Sequence, residues 1–434
     1  MAPDGSSSLS RRAGRLGAHL RIVLVVLIAA AAPLAAQTPG TEEQDVATEP
    51  APVAEESGEK SSDRVVVDFG GAGLELRSAD GNFEGRFNVR TQFRAAYPYF
   101  DNPRAVNDLE EDSEVAFEIV RARFKGGGHA FRPWLDYYLE YDVVGLQLLD
   151  LRFTVERWDA LNFRVGQWKP EYNRERRDSS GAQQFVDRSI ANRTFTLDRQ
   201  AGGMISGRLF EGRAFDSHYF AGALTGDGLG ELDFEGEPML FGRWQWNFTR
   251  RELGFSQSDI QRKPEPRGSL AFAAARNRSR FTRFSSDGGG ELDGFPADVA
   301  ERYDTEQWLL EAAYQRAGFS FQAEAHRKEV EDRLGAIGEG GVSVFEGGYA
   351  QAGYFFHGLR EGFPEPLELA LRFARVDATA APGNSIRDEY TAAANWFFRG
   401  HDNKLTADLT RHEVEESGGS TAELRFRLQW DITF

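Results

Sequence analysis

The stretch Ala422-Glu-Leu-Arg-Phe-Arg-Leu-Gln-Trp-Asp-Ile-Thr-Phe434 reads strictly in twos. Ala422, Leu424, Phe426, Leu428, Trp430, Ile432 and Phe434 fall on one side, and Glu423, Arg425, Arg427, Gln429, Asp431 and Thr433 on the other. Successive side chains of a strand point to opposite faces, so this is a strand with one apolar and one charged face. Working outward, the pattern recurs at Phe83–Ala95, where Glu84, Arg86, Asn88, Arg90, Gln92 and Arg94 alternate with Phe83, Gly85, Phe87, Val89, Thr91 and Phe93. It recurs again at Phe319–Lys328, with Phe319, Phe321, Ala323 and Ala325 opposite Ser320, Gln322, Glu324, His326 and Lys328.

A soluble sheet with one wet face alternates in the same way. Three features favour a transmembrane barrel. Many strands reach about ten residues, the length a tilted strand needs to cross a bilayer. Aromatic residues gather near strand ends (Trp134, Trp158, Trp168, Trp244, Trp246, Trp396, Phe397, Phe398), as an interfacial girdle requires. The sequence also ends at Phe434 directly after a strand, which resembles the assembly signal of bacterial outer-membrane barrels. A count gives about sixteen strands, near 83–95, 114–125, 134–142, 147–157, 161–167, 202–209, 214–224, 238–249, 267–276, 304–316, 318–328, 346–357, 366–377, 387–398, 403–412 and 421–434. The fold class expected is all-β, a transmembrane antiparallel β-barrel.

Connection lengths give an internal check. With both ends of the barrel on the periplasmic side, Ala96–Ser113, Trp168–Ala201, Thr225–Glu237, Asn277–Tyr303, Glu329–Phe345 and Glu413–Ser420 face outward and are mostly long. Trp158–Ala160, Phe210–Arg213, Ala317 and Arg399–Asp402 face inward and are tight, the usual asymmetry of such barrels. Val143–Leu146, short and outer, and Arg250–Pro266, long and inner, break the rule.

Composition agrees. Mean hydropathy is -0.50, too polar for a bundle of membrane helices, while 34 Phe and 46 Gly suit many short strands joined by turns. The absence of cysteine excludes disulfides, thiol catalysis and thiolate metal sites. A net charge of -17 argues against a nucleic-acid partner. The seven histidines are scattered, Asn107–Asp112 and Asp287–Asp293 lack the spacing of a calcium loop, and no serine nucleophile elbow is present. No cofactor, metal site or catalytic residue is therefore expected, and the chain does not read as an enzyme.

The N-terminus reads separately. Arg11, Arg12, Arg15 and Arg21 precede an apolar run, Ile22–Ala32, followed by small residues to Ala36. That is the layout of a secretory signal peptide, expected over 1–36. Residues 37–63 are rich in Glu, Ala, Pro and Ser and are expected to be an acidic disordered tail. The barrel domain is expected over 64–434.

One outer connection stands apart. Val165–Ser189, VGQWKPEYNRERRDSSGAQQFVDRS, carries Lys169, Arg174, Arg176, Arg177 and Arg188 between two strand-like runs. Its length suits a functional loop, and the expectation is that it folds into the lumen and narrows it. Arg86, Arg90 and Arg94 on the first strand and Arg164 on the fifth are polar-face candidates for the same path, with Arg121, Arg123 and Arg152 as further ones. Fixed cations on a narrow wall offset the dehydration of an entering anion. Each of these arginines can equally serve as a brace, paired with Glu171, Glu175, Asp136, Glu140 or Asp150.

Several stretches together resemble the phosphate-selective porins O and P. The best is Arg164-Val-Gly-Gln-Trp-Lys-Pro170, similar to that family's Gly-x-x-Lys-Pro run opening the third loop. Phe185-Val-Asp-Arg-Ser189, Arg199 before Gly202-Gly203, Tyr349–Phe355 and Asn395-Trp-Phe397 follow in the family's order. The resemblance implies a sixteen-stranded homotrimeric barrel in the outer membrane of a Gram-negative bacterium, in contact with its lipid. It also implies a lumenal ladder of arginines and lysines that passes phosphate-type anions, phosphate or polyphosphate, by passive diffusion. The sequence departs from the family at Glu171, Asn173 and Asp187, and places Glu171, Glu175 and Asp178 among the loop's cations. A general or cation-leaning porin of the same fold, a barrel adhesin or outer-membrane enzyme, and a secreted soluble β-protein are the rival readings.

Overall fold

The structure, a computed structural model, describes residues 65–70, 73–99, 101–109, 114–230, 237–284 and 289–434. The expected signal peptide and acidic tail lie outside the described residues, which belong to one compact unit, Lys60–Phe434. The first strands are β1 (Val65–Gly70), β2 (Gly73–Ser78), β3 (Glu84–Tyr97), β4 (Ala116–His129), β5 (Leu135–Asp142), β6 (Gln147–Trp158), β7 (Leu161–Trp168), β8 (Gln200–Leu209) and β9 (Ser217–Leu224). They continue with β10 (Met239–Trp246), β11 (Arg267–Ser279), β12 (Tyr303–Arg316), β13 (Phe319–Asp332), β14 (Val342–Tyr354), β15 (Leu367–Ala380), β16 (Ser385–Arg399), β17 (Asn403–Glu416) and β18 (Gly419–Thr433).

From β3 onward each strand pairs antiparallel with the next, and β18 pairs back onto β3 from Phe426↔Tyr97 to Thr433↔Arg90. Phe434 and Val89 exchange both backbone hydrogen bonds, at 3.0 and 2.8 Å. The result is a closed barrel of sixteen strands, β3–β18. Closure is what lets a sheet cross lipid, because no backbone edge is left unpaired. All sixteen expected strands are present.

The short β1–β2 hairpin was not expected. β2 takes up the part of the β3 edge that β18 leaves free, with Leu74↔Phe87 through Arg77↔Glu84. No long alternation marks it; each of its strands has only six residues.

Alternation sorts the faces as expected. On β18, Arg425, Arg427, Gln429 and Asp431 are at most 1% exposed, while Leu424 and Trp430 are 40% and 45% exposed on the outer wall. Trp168 and Phe397 correct the expected girdle: both point inward and are buried. The outer turn between β17 and β18 is only Ser417-Gly418, shorter than expected, because both strands run further toward the outside.

The lumen is filled rather than open. The third outer loop, 169–199, enters from outside and carries two short helices, α1 (Arg174–Arg177) and α2 (Ala191–Phe195). Ile190, Ala191 and Phe195 pack with Leu292 and Phe295 of the connection 280–302 and with Tyr303, Phe345 and Val376 of the wall. Trp168, Tyr172 and Leu197 pack with Met204, Phe241, Phe284 and Leu309. The long inner connection 247–266, an exception to the length rule, also turns into the lumen. There Gly254 O accepts a hydrogen bond from Arg174 of α1 at 2.8 Å, and Gln257 Oε1 accepts one from Gln184 N at 2.9 Å.

Candidate functional site

A loop inside a barrel must satisfy its backbone there, since each orphaned buried polar group costs about 1–3 kcal/mol. The tall wall β10–β18 supplies the partners. Glu324 accepts from Glu175 N at 2.7 Å, Asp408 from Val186 N at 3.0 Å, and Glu389 from Ile190 N at 3.0 Å. Lys404 donates to Gln183 O, Asn395 to Gln184 O, Arg372 to Asp187 O, and Lys328 to Thr194 O. This side of the barrel holds the loop. Gly353 is needed here, because a Cβ on it would lie 2.1 Å from Gln184 Nε2.

Most of the loop's expected anion-binding residues turn out to be engaged in that bracing. Arg174 is fully buried and donates to Glu311 at 2.9 Å. Arg176 is paired with Asp198. Arg188 donates to the carbonyls of Glu175 and Asp178, at 3.0 and 2.8 Å, and so ties the loop to itself. Arg94 is held by Asp187 at 3.1 Å and Gln429 at 3.0 Å. Arg164 pairs with Glu171 at 2.6 Å. Arg86 sits at the periplasmic end, largely exposed, beside Glu75 and Glu84. Spacing on a strand shows which face a cation takes; it does not show whether a carboxylate across the lumen neutralises it.

Lys169 and Arg177 are placed differently. They face another part of the wall, β4–β7, and enclose with it a polar cavity of about 180 Å³. Six cations line it, Arg123, Lys125, Arg152, Lys169, Arg177 and Arg199, against two carboxylates, Glu140 and Asp150. Ser179, Ser180 and Tyr138 complete the lining. Glu140 takes a 2.8 Å bond from Arg123, and Asp150 a 2.8 Å bond from Arg199. Arg152 lies 4.4 Å over the Tyr138 ring. Among the described residues, Lys125 and Lys169 have neither an ion pair nor a hydrogen bond, although Lys169 is only 9% exposed. Burial, together with Arg199, Arg188 and Arg176, holds the Lys169 ammonium well below the usual lysine range, and an anion beside it would act in the opposite direction.

Arg90 borders this cavity, donating to Ser179 Oγ at 2.9 Å and Ser180 Oγ at 2.6 Å. Gly181 leaves room for it, since a Cβ there would be 2.6 Å from Arg90 Nη1. Lys125, Tyr138 and Arg152 also line a second, wider cavity of about 520 Å³ that includes Arg86 and Arg164 at the periplasmic ends of β3–β7. The two cavities share Lys125, Tyr138 and Arg152 in their linings.

Lys125 and Arg199 are absent from the sequence-based candidates. Lys125 lay at the end of the expected second strand, yet Arg121, Arg123 and Lys125 alternate onto one face below a bulge that separates Arg121↔Gln92 from Ile119↔Phe93. The alternation was the available signal; the bulge obscured it.

Three further groups in the loop are carboxyls. Burial would raise Glu171, but Arg164 and Arg177 hold it down at about 2. Burial pushes Glu175 up to about 7, against the pull of Arg372. Burial likewise pushes Asp178 up to about 7 against Arg174 and Arg188, and neither of its carboxyl oxygens has a hydrogen-bond partner.

A closed sixteen-stranded barrel with an apolar outer wall and an inward-folded loop defines the class: this is an outer-membrane porin of a Gram-negative bacterium, a channel rather than an enzyme. The family model "Phosphate-selective porin O and P" matches residues 87–432, and the chain belongs to that family. Among solved structures, an anion-selective porin from Comamonas acidovorans is similar at a TM-score of 0.53 and 13% identity, over 81% of this chain and 99% of that one. A loop L8 deletion mutant of OmpT, an outer-membrane protein of Vibrio cholerae, is similar at a TM-score of 0.51 and 11% identity, over 81% and 99%. No curated protein matches the chain.

Proposed function

We propose that this porin passes small anions of the phosphate type by passive diffusion, along the two cavities between its third loop and β3–β7. One observation carries the reading: six cations face two carboxylates at the narrow cavity, and among the described residues Lys125 and Lys169 make no ion pair or hydrogen bond. Several cationic sites of modest affinity let an anion shed water, bind and leave again. Arginine offers a phosphate its planar fork and lysine a point charge. The overall charge of -17 does not oppose this, because an entering ion meets the lining of the narrow cavity, where six cations face two carboxylates. The anion-binding residues proposed are Lys125, Arg152, Lys169 and Arg177, with Arg90 at the border and Arg86 and Arg164 in the wider periplasmic part. By family resemblance the assembly proposed is a homotrimer, exported by the leader at 1–36.

Reversal potentials of single channels in a potassium chloride gradient test this reading. Anion selectivity, with chloride current blocked by added phosphate, is the expected result. A cation-selective channel indifferent to phosphate overturns it.

A further inference from the structure

We propose that Phe255, on the inner connection 247–266, is a positioning residue that holds Arg177 in the anion path without neutralising it. The inference rests on the anion reading above. Three guanidinium groups converge on its ring: Arg174 at 5.2 Å, Arg177 at 5.6 Å and Arg243 at 5.7 Å from the centroid. Arg174 and Arg177 belong to α1 of the third loop, and Arg243 to β10.

Three cations this close repel one another, and their carboxylates are too few. Glu311 serves both Arg174 and Arg243. Glu171 serves Arg177 at 3.1 Å and Arg164 at 2.6 Å. The negative face of an aromatic ring attracts all three. The consequence differs from that of an added carboxylate. Glu171 is divided between Arg164 and Arg177 and offsets only part of the Arg177 charge; a second carboxylate beside Arg177 would cancel the rest, so the cavity would lose a cation. An aromatic face steadies the guanidinium without adding negative charge, so the part of the Arg177 charge that the shared Glu171 does not offset stays available to a passing anion.

The connection bearing Phe255 is itself anchored. Gly254 O accepts from Arg174 at 2.8 Å, Ser258 Oγ donates to Glu368 at 2.8 Å, and Asp259 accepts from Gly318 N at 2.8 Å. Phe255 thus contacts Arg177 without itself lining the cavity that Arg177 lines.

A double-substitution cycle in the full-length porin tests this. Single-channel conductance in dilute salt, where wall charge dominates the current, is compared for wild type, Phe255→Leu, Arg177→Gln and the double variant. Phe255→Leu is expected to reproduce at least half of the change caused by Arg177→Gln, and to add nothing once Arg177 is already glutamine. Phe255→Tyr, which keeps the ring face, is expected to behave as wild type. Additive effects, a silent Phe255→Leu, or a Phe255→Tyr as altered as Phe255→Leu would each overturn the proposal. Heat-modifiable gel mobility checks barrel folding, and Phe255→Met replaces Phe255→Leu in the cycle if the latter does not assemble. The wild-type reversal potential is a separate measurement. A cation-selective wild type removes the anion reading, yet the cycle still reports whether Phe255 acts through Arg177, because that charge alters the current of either ion.

Discussion

Arg243 on β10 and Glu311 on β12 face each other across β11 as a forked pair, with both Nη atoms 2.8 Å from the two carboxylate oxygens. Arg174, from the third loop, adds its Nε to the same carboxylate at 2.9 Å. One buried acid thus joins the barrel wall to the loop. Removing one partner of such a pair leaves the others as uncompensated buried charges, at a cost of about 3–5 kcal/mol. Glu311→Gln is therefore expected to lower the temperature of the heat-modifiability transition and to increase open-channel noise as the loop loosens. Unchanged stability and a quiet channel would show that the loop does not depend on this junction.

The two unpartnered lysines should act on ions rather than on the fold. Losing about 1 kcal/mol of attraction per removed charge corresponds to roughly fivefold in anion occupancy. Lys125→Gln and Lys169→Gln are each expected to shift the reversal potential toward cations by that order, with the melting transition little changed. A double variant as anion-selective as wild type would place the path elsewhere in the lumen.

The loop's other arginines should show the opposite pattern. Arg176→Gln takes from buried Asp198 its nearer cation and leaves it Arg199 at 3.9 Å, and Arg188→Gln releases the carbonyls of Glu175 and Asp178. Both are expected to cost about 2–4 kcal/mol of barrel stability while barely moving the selectivity measured for the fraction that folds. A large selectivity change at unchanged stability would return these residues to the ion path.

The loop should be sensitive to pH through Asp178 and Glu175. Folding raises the Asp178 carboxyl from 3.8 to about 7 and the Glu175 carboxyl from 4.5 to about 7. Between those values the folded loop keeps protons that the unfolded chain has lost, so packing weakens as pH rises and the penalty is complete above about pH 7. Loop closures seen as brief current interruptions are expected to become more frequent from about pH 5 to pH 8. Asp178→Asn with Glu175→Gln is expected to flatten that dependence. A wild-type record that becomes quieter with rising pH would reverse the assignment.

Much of the barrel is written along the chain itself. Alternation at 422–434 and 83–95 assigns faces residue by residue, because a strand's period of two is a local property. The run of tight and long connections separates the two ends of the barrel for the same reason. Legibility stops where a side chain's meaning depends on what lies across the lumen. Ala273, Ala370 and Ala374 fall on the inward face by alternation, but only the structure shows that they pack around the third loop. Arg174 and Arg177 lie on one short helix, yet one is sealed against Glu311 while the other shares Glu171 with Arg164 and lines the narrow cavity. Local periodicity and composition thus determined the class of fold and the presence of a cationic loop. Only the tertiary structure decided which cations are neutralised and which stay free, because a charge is cancelled by carboxylates that arrive from strands more than a hundred residues away, as Glu311 does for Arg174.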